Sequence, residues 1–194
     1  MKICIFGAAS AHIDDIYIKA VEELGEKLAK RGHSLVFGAG ATGLMGAAAR
    51  GFKCGGGFIH GVIPEFFCEE NVELIYRECS KITYTKSMAE RKTVMEDDAE
   101  AFIIAPGGVG TFEEFFEVLT LKQLGRHKKA MVIFNIDGYY DDLEKFMQKV
   151  NERGFMNFKC GELYSLSDTA DGVIDYLETY VPSEDNWRKL KIGE

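Results

Sequence analysis

Apolar residues along the chain follow two alternating patterns. Short apolar runs at 2–6, 34–37 and 101–105 have the length of β-strands, and the last of them is uninterrupted, as in a strand buried on both faces. Between such runs, apolar residues recur at every fourth position, as they do from Ile16 to Leu28, which is the spacing of one helix face. The chain is therefore predicted to alternate between strands and helices.

The same alternation continues over most of the 194 residues. Further strands are predicted at 58–63, near Ile82, at 130–134 and at 163–166, and further helices at 44–53, 88–97, 112–124, 140–152 and 169–180. Residues 64–80 show no regular period and receive no assignment. The order predicts an α/β fold with a doubly wound, Rossmann-like parallel sheet, in a single domain at 1–182 that is followed by a polar tail at 183–194.

Composition and charge narrow the classes of function. The net charge is −8, so the chain lacks the basic surface that would neutralise the phosphates of a nucleic acid, whereas one bound nucleotide needs only a few donors. No apolar run approaches the roughly 20 residues of a membrane helix. Five cysteines without a C-x-x-C pair are typical of reduced thiols. These features predict a cytoplasmic protein that binds neither nucleic acid nor membrane.

Two glycine-rich loops follow predicted strands, where sheets of this kind bind their ligands. The first, Gly38–Gly43, reads G-x-G-x-x-G and would let backbone N–H groups approach a phosphate at a helix start. Glycines that serve only a tight turn and close packing explain the same pattern, and both interpretations remain open. Glu65, after the next strand, is a candidate for an acid that binds ribose.

The second loop, Pro106–Glu114, reads P-G-G-V-G-T-F-E-E and follows the uninterrupted apolar strand. Three glycines and a threonine hydroxyl at a helix start predict a cradle of N–H donors for an anion. Thr111 and Glu114 also match a capping box, with Thr111 as the N-cap and Glu114 in the first helical turn. The helix dipole would then keep Glu114 ionised, and that charge would stabilise a cationic sugar.

A third stretch, Ser87–Lys92, opens the helix before that strand. Ser87 and Glu90 form a capping-box pattern, which favours a structural role for Glu90. On composition alone, the adjacent Arg91 and Lys92 are solvated surface charges.

Together these stretches resemble the LONELY GUY (LOG) family of cytokinin riboside 5′-monophosphate phosphoribohydrolases. The matching motifs are P-G-G-x-G-T-x-x-E at Pro106–Glu114, Arg91-Lys92, G-L-M-G at Gly43–Gly46 and D-G-Y-Y at Asp137–Tyr140. The resemblance covers about residues 1–180. It implies an enzyme that needs no cofactor and hydrolyses the N-glycosidic bond of adenosine 5′-monophosphates, plain or N6-modified, releasing the free base and ribose 5-phosphate.

The resemblance also implies roles for individual residues. Arg91 and Glu114 would be the catalytic pair. The residues that would bind the nucleoside monophosphate are Ser10, Gly43, Lys92, Gly107, Gly108, Gly110 and Thr111. The chain departs from the family pattern at Ala89, where many members have His or Arg, and in the first loop at 7–12. These departures leave the preferred base open.

The helix predicted at 112–124 is apolar over most of its circumference, with Phe112, Phe115, Phe116, Val118, Leu119, Leu121 and Leu124. A sheet covers only one side of a helix, so a homodimer through this helix is predicted, as the resemblance also implies. The four histidines stand apart from one another, and no metal site is predicted. Two other classes remain as alternatives, a nicotinamide-dependent oxidoreductase built on Gly38–Gly43 and a non-catalytic nucleotide or cofactor carrier.

Overall fold

The computed structural model describes residues 1–70, 72–156 and 160–182. The predicted tail at 183–194 lies outside the described residues. Within them, the strands are β1 Lys2–Phe6, β2 Ser34–Phe37, β3 Ile59–Pro64, β4 Lys81–Thr85, β5 Ala101–Ile104, β6 Ala130–Phe134 and β7 Ser165–Ser167. The α-helices are α1 Asp15–Lys30, α2 Gly43–Cys54, α3 Glu65–Glu69, α4 Met88–Asp98, α5 Val109–Gln123, α6 Asp141–Glu152, α7 Cys160–Leu163 and α8 Ala170–Thr179. None of these helices is long and apolar enough to cross a membrane.

The seven strands form one parallel sheet in the order β4-β3-β2-β1-β5-β6-β7. In β1, Ile3 pairs with Leu35 of β2 on one side and with Ala101 of β5 on the other. The direction in which the chain adds strands reverses between β1 and β5, which is the point where ligands bind in such sheets. The predicted doubly wound, Rossmann-like fold is confirmed.

The sheet separates two hydrophobic cores, and the side chains of β1, β2, β3, β5 and β6 alternate between them. In β1, Ile3 and Ile5 belong to the core under α1, α2 and α8, and Cys4 and Phe6 belong to the core under α4 and α5. Helices α1 and α2 pack closely because Gly51 has no side chain. A Cβ at this position would lie 2.1 Å from the Glu22 carbonyl oxygen. Burial on both faces of β1 and β5 fixes the loops that follow them.

Two predicted boundaries were wrong. Strand β7 begins at Ser165, because Leu163 ends the short helix α7. Helix α5 begins at Val109 and not at residue 112, because Gly108 is its N-cap, in an extended conformation with no side-chain cap. The unassigned stretch 64–80 contains the short helix α3.

The N-terminus of α4 is capped as predicted. The Ser87 hydroxyl oxygen accepts a hydrogen bond from the Glu90 backbone N–H at 3.2 Å, and the Glu90 carboxylate accepts one from the Lys86 N–H at 2.7 Å. Glu90 is therefore a structural residue. The cap fixes the helical turn that carries Arg91 and Lys92.

Candidate active site

A cleft of about 310 Å³ opens at the carboxyl ends of β1, β2 and β5, next to the reversal in strand order. Of the residues predicted to form the site, it gathers Arg91, Gly108, Gly110, Thr111 and Glu114. The sequence separates these residues widely, and the parallel sheet brings them to one edge. We call this space the active-site cleft.

The start of α5 forms one wall of the cleft. The first hydrogen bond within the helix runs from the Phe112 N–H to the Gly108 carbonyl at 3.0 Å. The N–H groups of Val109, Gly110 and Thr111 therefore precede the hydrogen-bond ladder of the helix and are oriented to bind an anion. Gly107 has no room for a side chain, because a Cβ there would lie 2.1 Å from the Thr111 hydroxyl oxygen.

This helix start overturns the capping box predicted for Thr111 and Glu114. Thr111 is buried as the third residue of α5, and Glu114 is the sixth, in the second turn. The glycines let the backbone enter the helix earlier than a threonine N-cap would. Glu114 thus has neither a capping role nor the first-turn position that would hold it ionised.

Burial sets the protonation of Glu114 instead. It raises the pKa of the carboxyl group from 4.5 to about 7, while the positive charge of Arg91 opposes that rise. The expectation that the helix dipole keeps this carboxylate ionised was therefore wrong. A carboxyl group with a pKa near neutrality can both give up and accept a proton during a reaction.

Arg91 reaches the cleft from the first turn of α4, and its guanidinium is held in place. Its Nε donates a hydrogen bond to the Val62 carbonyl oxygen at 3.2 Å, and its Cζ lies 5.6 Å from the centre of the Phe67 ring. A Cβ at Gly38 would come within 1.5 Å of the Arg91 Nη2. The first glycine of the G-x-G-x-x-G loop therefore makes room for this side chain.

A further acid, Glu73, lines the cleft and was missed by the sequence analysis. Its Oε1 is buried without a hydrogen-bond partner among the described residues, and burial raises the pKa of the carboxyl group, which Arg91 partly counteracts. A Cβ at Gly40 would lie 2.2 Å from this oxygen, so the second glycine of the loop makes room for Glu73. An isolated glutamate in a stretch without periodicity gives no sequence signal.

The backbone beside Glu73 is fastened to the glycine loop. The Ala41 N–H donates to the Leu74 carbonyl at 2.7 Å, and the Tyr76 N–H donates to the Ala39 carbonyl at 2.8 Å. Glu73 is therefore held against the loop at the cleft. Glu65, the acid suggested by the sequence, is exposed in α3 and is not among the residues that line the cleft.

Other residues predicted to bind the substrate lie at the edges of the cleft. The Lys92 amine forms ion pairs with Glu113 and, at 2.6 Å, with Glu117, both on α5. The other three lie in or beside the loop at 7–12. Ser10 is exposed, Gly43 begins α2 with a φ of 57°, and Gly107 lines an apolar cavity that adjoins the cleft. The roles predicted for these four residues stay predictions.

The residues 1–70, 72–156 and 160–182 contain no group of three or more His, Cys, Asp or Glu side chains arranged to hold a metal ion. The charged groups of the cleft are Arg91, Glu73, Glu113 and Glu114.

The raised pKa of Glu114 predicts a pH-dependent stability. Between about pH 4.5 and 7 the folded chain holds a proton that the unfolded chain has released, so the free energy of unfolding falls as the pH rises through this window. Glu114→Gln removes the free-energy cost of ionising this carboxyl group in the folded chain. The substitution should therefore raise the free energy of unfolding at pH 8 by about 1–3 kcal/mol, with no gain at pH 4. Denaturant unfolding at both pH values measures the difference. The exposed Glu65→Gln is the control, and equal gains at pH 4 and pH 8 would contradict the prediction.

Comparisons with known proteins identify the family. The family described as possible lysine decarboxylase matches residues 45–177. The probable cytokinin riboside 5′-monophosphate phosphoribohydrolase LOGL5 of Oryza sativa subsp. japonica is 37% identical over 191 residues, covering 98% of this chain and 77% of the relative. The Arabidopsis thaliana cytokinin riboside 5′-monophosphate phosphoribohydrolase LOG2 is 34% identical over 186 residues, covering 96% of this chain and 86% of the relative.

Solved structures share the fold. The molybdenum cofactor carrier protein MCP from Chlamydomonas reinhardtii superposes with a TM-score of 0.71 at 21% identity, covering 91% of this chain and 95% of that chain. The molybdenum cofactor binding protein from Rippkaea orientalis gives 0.68 at 18% identity, covering 91% and 94%. These identities establish likeness of fold alone. The matches in sequence go further: this chain belongs to the possible lysine decarboxylase family, together with the cytokinin riboside 5′-monophosphate phosphoribohydrolases.

Proposed function

We propose that the protein hydrolyses the N-glycosidic bond of adenosine-type 5′-monophosphates to the free base and ribose 5-phosphate. The observation that carries this proposal is the pairing, within one cleft, of a Glu114 carboxyl that titrates near neutrality with a glycine cradle for an anion. The names of the relatives, which are phosphoribohydrolases of a riboside 5′-monophosphate, support the same reaction.

The cradle at the start of α5 would hold the 5′-phosphate. N–H groups at a helix start bind phosphate through both hydrogen bonds and the helix dipole. Lys92 supports this site from its edge, because its ion pairs with Glu113 and Glu117 offset one of the two negative charges that would repel a phosphate. Ser10 lies in the loop at 7–12 and Gly43 lies beside it, and these two residues complete the proposed set of binding residues.

The cleft also suits the chemistry at the sugar. Cleavage of a glycosidic bond develops positive charge on the ribose ring, which an ionised carboxylate stabilises. Glu114 in its ionised form would do so and would take a proton from the water that attacks C1′, while the N-glycosidic bond breaks and the released nitrogen of the base takes up a proton in exchange. Arg91 favours this ionised form and carries the donors to hold the phosphate or ribose. The Oε1 of Glu73, which has no hydrogen-bond partner in the described part of the chain, would accept a hydrogen bond from a ribose hydroxyl or the base.

A carrier of a nucleotide or cofactor is the alternative function. The molybdenum cofactor carriers support it through likeness of fold, which does not extend to function at these identities. A carrier has no need of a carboxyl group that titrates near neutrality beside an anion cradle. The cleft therefore favours the enzyme.

Incubation with a panel of nucleotides tests the reaction. AMP, N6-alkylated AMP, GMP and adenosine are each supplied without added metal or cofactor, and the products are separated by chromatography. We expect free base and ribose 5-phosphate from a purine 5′-monophosphate, and a rate about 10- to 100-fold lower with adenosine, which lacks the charged group that binds the cradle. Tight binding of the monophosphates without any turnover would favour the carrier. Equal rates with adenosine would contradict the phosphate site.

We propose a homodimer that forms through α5. In the single chain, Phe115, Val118 and Leu119 of this helix are buried, whereas Val109, Phe116 and Leu124 are 85%, 38% and 46% exposed. The exposed residues follow one another at intervals of seven and eight, so they share one helix face. A second copy of the chain would cover this face. Reduced thiols support the cytoplasm as the compartment of the protein, since Cys4, Cys54, Cys68 and Cys79 are free.

Sedimentation velocity tests the dimer. Wild-type protein at micromolar concentration should sediment as a dimer, and Phe116→Asp should sediment as a monomer because a charge would be buried at the interface. Phe146→Asp, at a phenylalanine of α6 that is 59% exposed, is the matched control and should remain dimeric. A monomeric wild type, or a dimeric Phe116→Asp, would refute the proposed interface.

A further inference from the structure

Three successive carbonyl groups behind the cradle are held from outside the loop. The Tyr140 hydroxyl donates a hydrogen bond to the Ala105 carbonyl at 2.8 Å, the Ala8 N–H donates to the Pro106 carbonyl at 3.0 Å, and the Tyr139 hydroxyl donates to the Gly107 carbonyl at 2.7 Å. The two tyrosines belong to the D-G-Y-Y motif, to which the proposed reaction gives no part. Their hydroxyl groups act on the segment that leads directly into α5.

The bond from Tyr139 fixes the direction of a donor on the opposite side of the chain. Peptide units are planar and trans here, so the carbonyl of Gly107 and the N–H of Gly108 point in opposite directions. Gly107 lines the adjoining apolar cavity together with Tyr139, whereas Gly108 also lines the active-site cleft. Holding the Gly107 carbonyl on the tyrosine side therefore turns the Gly108 N–H away from Tyr139.

This peptide unit needs such a restraint because it lies between two glycines. Glycine tolerates most backbone conformations, so rotation of the Gly107–Gly108 peptide plane meets little steric resistance. A Cβ at Gly108 would find no atom within 4 Å, so packing around that residue does not restrain it. A rotated plane would present the Gly107 carbonyl oxygen to an anion in place of the N–H.

Tyr139 is itself held by a rigid turn. Asp137 and Gly138 both adopt left-handed conformations, with φ of 53° and 70°. Such a conformation is strained for aspartate and persists where the surroundings determine it. Here the side chain of Asn135 accepts a hydrogen bond from the Tyr140 N–H at 2.7 Å and donates to Asp141 and Asp168, both at 2.9 Å.

We propose that Tyr139 is a positioning residue for the anion cradle: its hydroxyl holds the Gly107 carbonyl and thereby aims the Gly108 N–H at the 5′-phosphate. The inference rests on the proposed function for the identity of the anion. This role gives the D-G-Y-Y motif a part in binding. Tyr140 holds the Ala105 carbonyl at the end of β5, and Tyr139 fixes the orientation of the Gly107–Gly108 peptide.

Tyr139→Phe tests this role, since it removes the hydroxyl and keeps the ring packed against Tyr17 and Tyr140. Calorimetry measures the Kd for AMP, ribose 5-phosphate and adenosine. The Kd for AMP, the Kd for ribose 5-phosphate and the KM for AMP should each rise about tenfold, because one oriented hydrogen bond to a charged group is lost. The kcat and the Kd for adenosine should stay within about twofold, because the altered peptide faces the phosphate alone.

The control is Tyr84→Phe, at a tyrosine of the edge strand β4 that is 54% exposed. It should leave every constant unchanged, and both variants should melt within a few degrees of the wild type. Unchanged phosphate affinity in Tyr139→Phe, or equal weakening of adenosine and AMP, would overturn the proposal.

The binding measurement also separates this proposal from the proposed function. If the wild type binds AMP but cleaves no nucleotide, the hydrolase assignment fails, and a tenfold loss in Tyr139→Phe still supports the positioning role. If the wild type cleaves AMP and Tyr139→Phe binds it normally, the hydrolase stands and the positioning role fails.

Discussion

The positive charge of Arg91 acts on both partly buried carboxyl groups of the cleft, and the site depends on this interaction. Burial raises the pKa of Glu73 and of Glu114, and in each case the guanidinium of Arg91 opposes the rise. Without that charge, both acids would hold their protons more firmly at neutral pH. The position of Arg91 is therefore an electrostatic requirement as well as a geometric one.

The rest of the fold keeps that charge in place. The Ser87 cap fixes the first turn of α4, and the C-terminal end of the helix is held where Asp98 bonds to the buried His60 at 2.7 Å. The glycines of the two loops complete the arrangement by leaving space for particular side chains. Gly38 accommodates Arg91, Gly40 accommodates Glu73, and Gly107 accommodates Thr111. The packing interpretation of the G-x-G-x-x-G loop therefore describes Gly38 and Gly40, and the phosphate-binding interpretation of this loop stays a prediction.

The sequence predicts the fold well because the inner strands β1, β5 and β6 are almost wholly apolar and α1 has a regular apolar face. It fails where several glycines make the backbone permissive: Thr111 and Glu114 fit a capping box, yet the three glycines let α5 begin at Val109. It also fails at Glu73, since the hydrogen bonds that hold this acid against the loop join segments about 35 residues apart and leave no local pattern. The environment of Lys92 was equally hidden, because its partners belong to another helix.

The central claim is that the charge of Glu114 acts in the transition state, and the turnover of Glu114→Gln on AMP tests it most directly. The neutral amide keeps the shape of the side chain, and α5 is capped by Gly108 whichever residue stands at position 114. The account predicts that kcat falls by about 10²–10³-fold while the Kd for AMP changes by less than a few fold. A Glu114→Gln enzyme whose turnover stays within a few fold of the wild type would contradict the account.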